Sequence, residues 1–82
     1  MISAAGNTIV PCYLALIEKG YSVTVDSPNT EKELWRAKKG ELVFVGSDPI
    51  ELLAMSNLFE VRGEAWKATD EEIDAFEEQY GL

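Results

Sequence analysis

The sequence predicts a small two-layer α+β domain, in which a three-stranded antiparallel meander carries helices on one face in the order α-β-β-β-α-α. Three observations predict it: two helix-capping signals, three short strand-like segments separated by turns, and a length of 82 residues. That length leaves room for one domain, residues 1–82. A domain of this size buries only about 60% of the surface of its unfolded chain, so a partner can add to its stability.

The first element is predicted as a helix from Thr8 to Lys19, which Gly20 ends. Asn7 or Thr8 is its N-cap, and Pro11 lies in its first turn. Apolar side chains surround this helix almost completely, so we expect it to be covered on more than one face. The cover is either the sheet with another helix, or another chain. The apolar residues are Ile9, Val10, Cys12, Tyr13, Leu14, Leu16 and Ile17.

Three short strands are predicted after this helix. The first alternates apolar and polar side chains, which is typical of a strand buried on one face. Gly40 accepts the positive φ of a tight hairpin and predicts that the second and third strands are antiparallel neighbours. The predicted strands are Tyr21–Asp26, Glu33–Lys38 and Glu41–Val45.

The strongest local signal in the chain predicts a second helix. Asp48, Pro49 and Glu51 have the N-cap, first-position and capping-box pattern of a helix start. The helix extends to Val61 or Arg62, before a glycine. We expect one apolar stripe of this helix to face the sheet. Its predicted members are Ile50, Leu53, Ala54, Leu58 and Val61.

The last helix follows a connector, residues 64–68, and begins with a capping box of Thr69 and Glu72. At about 100° per residue, its apolar side chains lie on one arc and five carboxylates on the opposite one. We expect the apolar arc to dock on the domain and the carboxylates to form an outward-facing acidic ridge. The apolar arc comprises Ile73, Phe76 and Tyr80, and the acidic ridge comprises Asp70, Glu71, Asp74, Glu77 and Glu78.

Negative charge is concentrated in the second half of the chain. Fifteen acidic and seven basic residues give a net charge of −8, and residues 48–82 contain ten of the acids but only Arg62 and Lys67 as bases. Glu77 and Glu78 oppose the dipole at the end of the last helix, and like charges four residues apart destabilise it further. Helix stability therefore explains the acids of the first turn, which lie at the positive end of the dipole, but not the rest of the acidic ridge. Either the ridge keeps a small protein soluble, or it imitates a polyanion on a basic protein surface.

Composition argues against several classes of function. Histidine is absent, which excludes His-based catalysis and His-containing zinc sites. The net negative charge argues against direct binding of nucleic acid or of an anionic membrane. Cys12 is expected to be an inert buried thiol, and Glu60 stands out only as a carboxylate between two apolar residues. We therefore expect a cytoplasmic protein that is not an enzyme, has no cofactor or metal, and has no signal peptide or membrane anchor.

Each of the two tryptophans has two interpretations. Trp66, in the connector, is interpreted as a packing residue that locks the last helix to the domain, with an interface anchor as the alternative. Trp35 is interpreted as facing the helices. Its alternative is a mixed patch with Arg36 and Lys38 on the outer face of the sheet.

The sequence favours a small acidic inhibitor of a larger, basic, nucleic-acid-handling protein, of the immunity-protein, antitoxin or phage-encoded type. The alternative is a non-enzymatic assembly or adaptor module, a homodimer through the first helix or a sheet edge, whose acidic residues only keep it soluble. For the inhibitor, the expected partner-binding residues are Glu64, Trp66, Asp70, Glu71, Asp74, Glu77 and Glu78.

Overall fold

The computed structural model, which describes residues 1–3 and 6–82, has the predicted order α-β-β-β-α-α and confirms the α+β fold class. Ala4 and Ala5 of the N-terminal segment lie outside the described residues. The elements are α1 (Ile9–Glu18), β1 (Ser22–Asp26), β2 (Leu34–Lys39), β3 (Leu42–Gly46), α2 (Pro49–Arg62), a 3₁₀ turn (Gly63–Ala65) and α3 (Asp70–Tyr80). The described strands form one antiparallel meander in the order β1-β2-β3, and each begins one residue later than predicted.

Cross-strand pairing decides which side chains face the helices. Val23 pairs with Ala37, and Ala37 pairs with Phe44, so these three side chains share one face. Trp35, two residues before Ala37, lies on the same face and packs against the core. The interpretation that Trp35 faces the helices is therefore confirmed. The outer-face patch is wrong, because successive strand side chains point to opposite faces.

Local capping confirms the predicted start of α2. The Asp48 Oδ1 atom accepts a hydrogen bond from the backbone N–H of Glu51 at 2.9 Å, and Glu51 Oε1 accepts one from the backbone N–H of Ser47 at 2.7 Å. Gly63 ends the helix with a φ of 72°. Thr8 occupies the N-cap position of α1, although its side chain makes no capping hydrogen bond.

The core lies between the sheet and the first two helices. The Phe44 ring is 5.9 Å from both the Tyr21 ring and the Phe59 ring, measured between centroids. Leu16 of α1 and Leu52 of α2 are fully buried. Helix α1 contacts α2 and β1, and helix α2 contacts β2 and β3. These two helices therefore form the second layer of the domain.

A lysine connects α1 to α2. The Lys19 ammonium donates to Ser56 Oγ and to Asn57 Oδ1, each at 2.7 Å, and forms an ion pair with Glu60 at 3.0 Å. Its backbone oxygen accepts a hydrogen bond from the Lys39 ammonium at 2.8 Å. The three ammonium donors are thus all used, and they hold the C-terminal end of α1 against α2.

The predicted inward stripe of α2 is largely wrong. The helix buries Leu52 and Ser56, and it packs Met55 and Phe59 against the core. Ser56 is polar and interrupts the apolar periodicity of the buried stripe. The apolar pattern therefore predicted a neighbouring stripe of the helix as the inward one. The structure buries the Ser56 hydroxyl because it accepts a hydrogen bond from Lys19 and donates one to the Leu53 carbonyl. Of the predicted stripe, Leu53 is partly buried, whereas Ile50, Ala54, Leu58 and Val61 are exposed.

Candidate partner-binding surface

Helix α3 is exposed along its whole length, from Asp70 to Tyr80. The expected docking of its apolar arc on the domain is wrong, because Ile73, Phe76 and Tyr80 are 42%, 55% and 63% exposed. The sheet offers a physical reason. Three strands span about 14 Å, and each helix with its side chains is about 10 Å wide, so α1 and α2 already fill the inner face.

Arg62 links the start of α3 to the end of α2. The Thr69 and Glu72 capping box is confirmed, with Glu72 Oε1 accepting from the Thr69 backbone N–H at 2.9 Å. The Arg62 guanidinium forms an ion pair with Glu72 at 3.2 Å and donates to the Trp66 carbonyl oxygen at 3.0 Å. The hydrogen bond from the Thr69 N–H has the largest effect in holding the pKa of Glu72 below its usual range, and Arg62 has the second largest. Helix α3 is therefore held by polar contacts at its first turn.

The acidic ridge has no ion pair among the described residues. Two bases of the β2–β3 region are engaged elsewhere: the Arg36 guanidinium pairs with Asp26 on β1, and the Lys39 ammonium lies 5.6 Å from the centre of the Tyr21 ring. The charge of the ridge is therefore directed to solvent. In the part of the chain that the structure describes, the ion pairs are Lys19–Glu60, Arg36–Asp26 and Arg62–Glu72.

Glu64 and Trp66 lie in the segment that precedes α3. Glu64 is exposed in the 3₁₀ turn, and Trp66 follows that turn as a half-buried residue outside the core cluster. The Lys67 ammonium lies 5.7 Å from the centre of the Trp66 ring. Because α3 is exposed, Trp66 does not lock the helix by packing it onto the core.

A groove runs along the apolar arc of α3. It is an open cavity of about 640 Å³. Two carboxylates, Glu72 and Glu77, border the apolar arc, because they lie about 40° to either side of it at about 100° per residue. The Phe76 and Tyr80 rings lie beside each other at a centroid distance of 5.1 Å, with their planes tilted by 48°. The groove is lined by Arg62, Ala68, Glu72, Ile73, Phe76, Glu77 and Leu82.

The outer face of α1 is a second apolar surface. The helix buries Leu16, and its neighbours Cys12 and Ala15 are half-buried. The opposite side is not covered by the described residues, and no charged residue occurs between Ile9 and Ile17. The intrachain cover expected for this helix is therefore incomplete. The uncovered side chains are Ile9, Val10, Tyr13, Leu14 and Ile17, each 38% to 63% exposed.

The remaining candidate residues lack the environment of a chemical site. Cys12 is half-buried and carries a free thiol, so the expectation of a buried thiol is only partly correct. The Glu60 side chain is 53% exposed and bound to Lys19. Among the described residues, no group of three His, Cys, Asp or Glu side chains is arranged to hold a metal ion. No described helix combines the length and apolar character needed to cross a membrane.

The structure thus brings the five residues of the acidic ridge onto one arc of α3, and it places Glu64 and Trp66 in the preceding segment. Sequence reasoning missed the apolar arc as a surface. The signal that points to it is the small number of apolar residues in the last helix, which makes a narrow stripe with little area for docking. No protein-family model, curated protein or solved structure matches this chain.

Proposed function

We propose that this protein is a small acidic inhibitor that binds a larger, basic, nucleic-acid-handling protein through the acidic ridge of α3. One observation carries the proposal: the ridge lies on a helix exposed along its length and has no ion pair among the described residues. Its carboxylates are therefore available to lysine and arginine side chains of a partner. Such complementary charge raises the association rate and selects basic partners.

The spacing of the carboxylates supports imitation of a polyanion. From Asp70 to Glu78 the five carboxylates extend over about 12 Å of helix axis, or roughly one charge per 3 Å. One DNA strand carries a phosphate every 3.4 Å or so along its axis. A basic groove built for a nucleic-acid strand would therefore meet a similar density of negative charge on this helix.

This proposal includes the immunity-protein, antitoxin and phage-encoded types of inhibitor. The protein acts in the cytoplasm, is not an enzyme, and needs no cofactor or metal. Direct binding of nucleic acid or of an anionic membrane is disfavoured, because a net charge of −8 repels both.

The test compares two variants with the same change of net charge. The ridge variant carries Asp74→Asn, Glu77→Gln and Glu78→Gln. The control carries three changes at exposed carboxylates outside α3, namely Glu18→Gln, Glu31→Gln and Glu41→Gln.

Each variant is used as bait, and a protein retained by wild type is then purified for affinity measurements. We expect the ridge variant to lose affinity and the control to keep it, and we expect wild-type affinity to fall steeply with salt. The retained protein should also lose nucleic-acid binding when the wild-type chain is added. Equal affinity for both variants, or an affinity unchanged by salt, contradicts the electrostatic mechanism.

A second candidate function is supported by the outer face of α1. Soluble monomers rarely expose a contiguous apolar patch of more than a few hundred Å², and this face presents five neighbouring apolar side chains. In this alternative the chain is a homodimeric assembly or adaptor module, and the acidic residues keep it soluble.

The mass in solution distinguishes the two candidates. If the chain is a homodimer through α1, the wild type should have a dimeric mass and the Leu14→Glu variant a monomeric one. The matched control is Val43→Glu, because Val43 is about as exposed as Leu14, 48% against 53%, and lies on the sheet. A monomeric wild type argues against the module, and a dimer that both variants preserve argues against α1 as its interface.

A further inference from the structure

The groove beside α3 combines an apolar floor with an acidic border. Ile73, Phe76 and Leu82 supply its apolar side chains, and all three are exposed. Its volume of about 640 Å³ is in the range of cavities that accept a ligand or a large side chain. An acidic polyanion mimic does not require such a floor. The groove therefore indicates a contact that charge alone does not explain.

The two borders of the groove differ in charge. On one side, Glu72 is bound to Arg62 and to the Thr69 N–H, so its charge is largely compensated. On the other side, Glu77 has no ion pair among the described residues and continues into the acidic ridge. A cation of a bound partner is therefore best placed on the Glu77 side.

A cover would also add stability to α3. Isolated helices shorter than about 12–15 residues are marginal in water, and α3 has 11 residues. Its carboxylates repel one another, with Asp74 and Glu78 four residues apart and no base in its last turn. Burial of Phe76 and Tyr80 against a partner would add apolar contact to two rings that are 55% and 63% exposed.

We propose that the groove is the docking site for an amphipathic basic segment of the partner protein. An apolar side chain of that segment lies against Ile73 and Phe76, and its lysine or arginine side chains pair with Glu77 and the acidic ridge. This inference rests on the proposed function and names the type of segment that the inhibitor recognises. A second copy of the chain is a poorer occupant of the Glu77 border, because each copy carries a net charge of −8.

Two synthetic probes of equal charge separate the groove from the acidic ridge. One is a helical leucine–lysine peptide with an apolar face, and the other is poly-lysine. Binding to the full chain is measured by titration at low and high salt. The variants are Phe76→Ala, with Val45→Ala as the apolar control, and Glu77→Gln, with Glu71→Gln as the control of equal charge on the far side of the ridge.

We expect the wild type to bind the leucine–lysine peptide at least about tenfold more tightly than poly-lysine. Phe76→Ala should remove this preference, whereas Val45→Ala should keep it. Glu77→Gln should weaken binding of the leucine–lysine peptide more than Glu71→Gln does.

Three outcomes overturn the inference. If both probes bind equally and with the same dependence on salt, and Phe76→Ala has no effect, the groove is not a docking site. The proposed electrostatic function is not contradicted by that result. Binding of neither probe argues against both proposals. If the wild type is a dimer in solution and Phe76→Ala is a monomer, the groove binds a second copy of the chain instead of a basic partner.

Discussion

Replacing Phe76 by alanine should leave the domain folded and nearly as stable as the wild type, whereas Phe44→Ala should destabilise it strongly. Phe76 is 55% exposed, and its ring neighbour, Tyr80, belongs to the same helix. Phe44 is 9% exposed and lies between the rings of Tyr21 and Phe59. The two substitutions remove the same atoms. The difference between their changes in the free energy of unfolding therefore reports how the environments of the two rings differ.

The magnitudes follow from burial. Full burial of a phenylalanine side chain contributes about 1.5–3 kcal/mol, so Phe76, with less than half of its surface covered, contributes about 1 kcal/mol at most. A phenylalanine-to-alanine change in a core costs about 3–5 kcal/mol, because a cavity is added to the lost burial. A small domain loses about 4–8 °C of midpoint temperature per kcal/mol, so the two variants should differ by at least about 8 °C.

Urea denaturation followed by tryptophan fluorescence, together with thermal denaturation followed by circular dichroism, measures both effects. Tyr80→Ala should behave like Phe76→Ala, because Tyr80 is 63% exposed. A loss above about 2 kcal/mol for Phe76→Ala would refute the reasoning, since so large a cost requires burial of the ring against the domain. Helix α3 would then be docked in solution, and its groove would be closed to a partner.

Other predictions concern the remaining contacts. Lys19→Met should lower the free energy of unfolding by about 1–3 kcal/mol, because it removes charged hydrogen bonds between α1 and α2. Urea denaturation measures this loss. Negligible coupling between Lys19→Met and Ser56→Ala in a double-mutant cycle would contradict the prediction. Gly46→Ala should cost about 1–3 kcal/mol, because its Cβ would lie 2.9 Å from the Glu51 Cβ; an unchanged thermal midpoint argues against this close contact. Backbone N–H donors from Ser47 and Thr69 hold the pKa values of Glu51 and Glu72 below 4.5. The two ionised carboxylates therefore contribute to the free energy of unfolding above pH 4.5, and this contribution is lost as the pH falls through the lower pKa of the folded state. The midpoint temperature should therefore fall more steeply as the pH drops below 4.5 in the wild type than in a Glu51→Gln, Glu72→Gln variant, and equal slopes would contradict this.

The acidic ridge and the groove differ in how far they could be predicted. The members of the ridge follow from the capping box at Thr69 and from the spacing of the carboxylates on one helix, which are local properties. The groove depends on whether Phe76 is buried, and the same spacing is compatible with a docked or an exposed helix. Trp66 is a similar case, because its packing role required α3 to contact the core.

The sequence by itself determined the order of the elements and most of their ends. Asp48, Gly40 and the pair of Thr69 and Glu72 act through backbone conformation and hydrogen bonds within a few residues, so their effect does not depend on the rest of the fold. Only the tertiary structure decided which side chains are buried. Ser56 is buried because Lys19 binds it across the helix interface, while the apolar side chains of α3 remain exposed. Apolar periodicity identifies side chains that are suited to burial, but burial also requires a free surface, and two helices already cover the inner face of a three-stranded sheet.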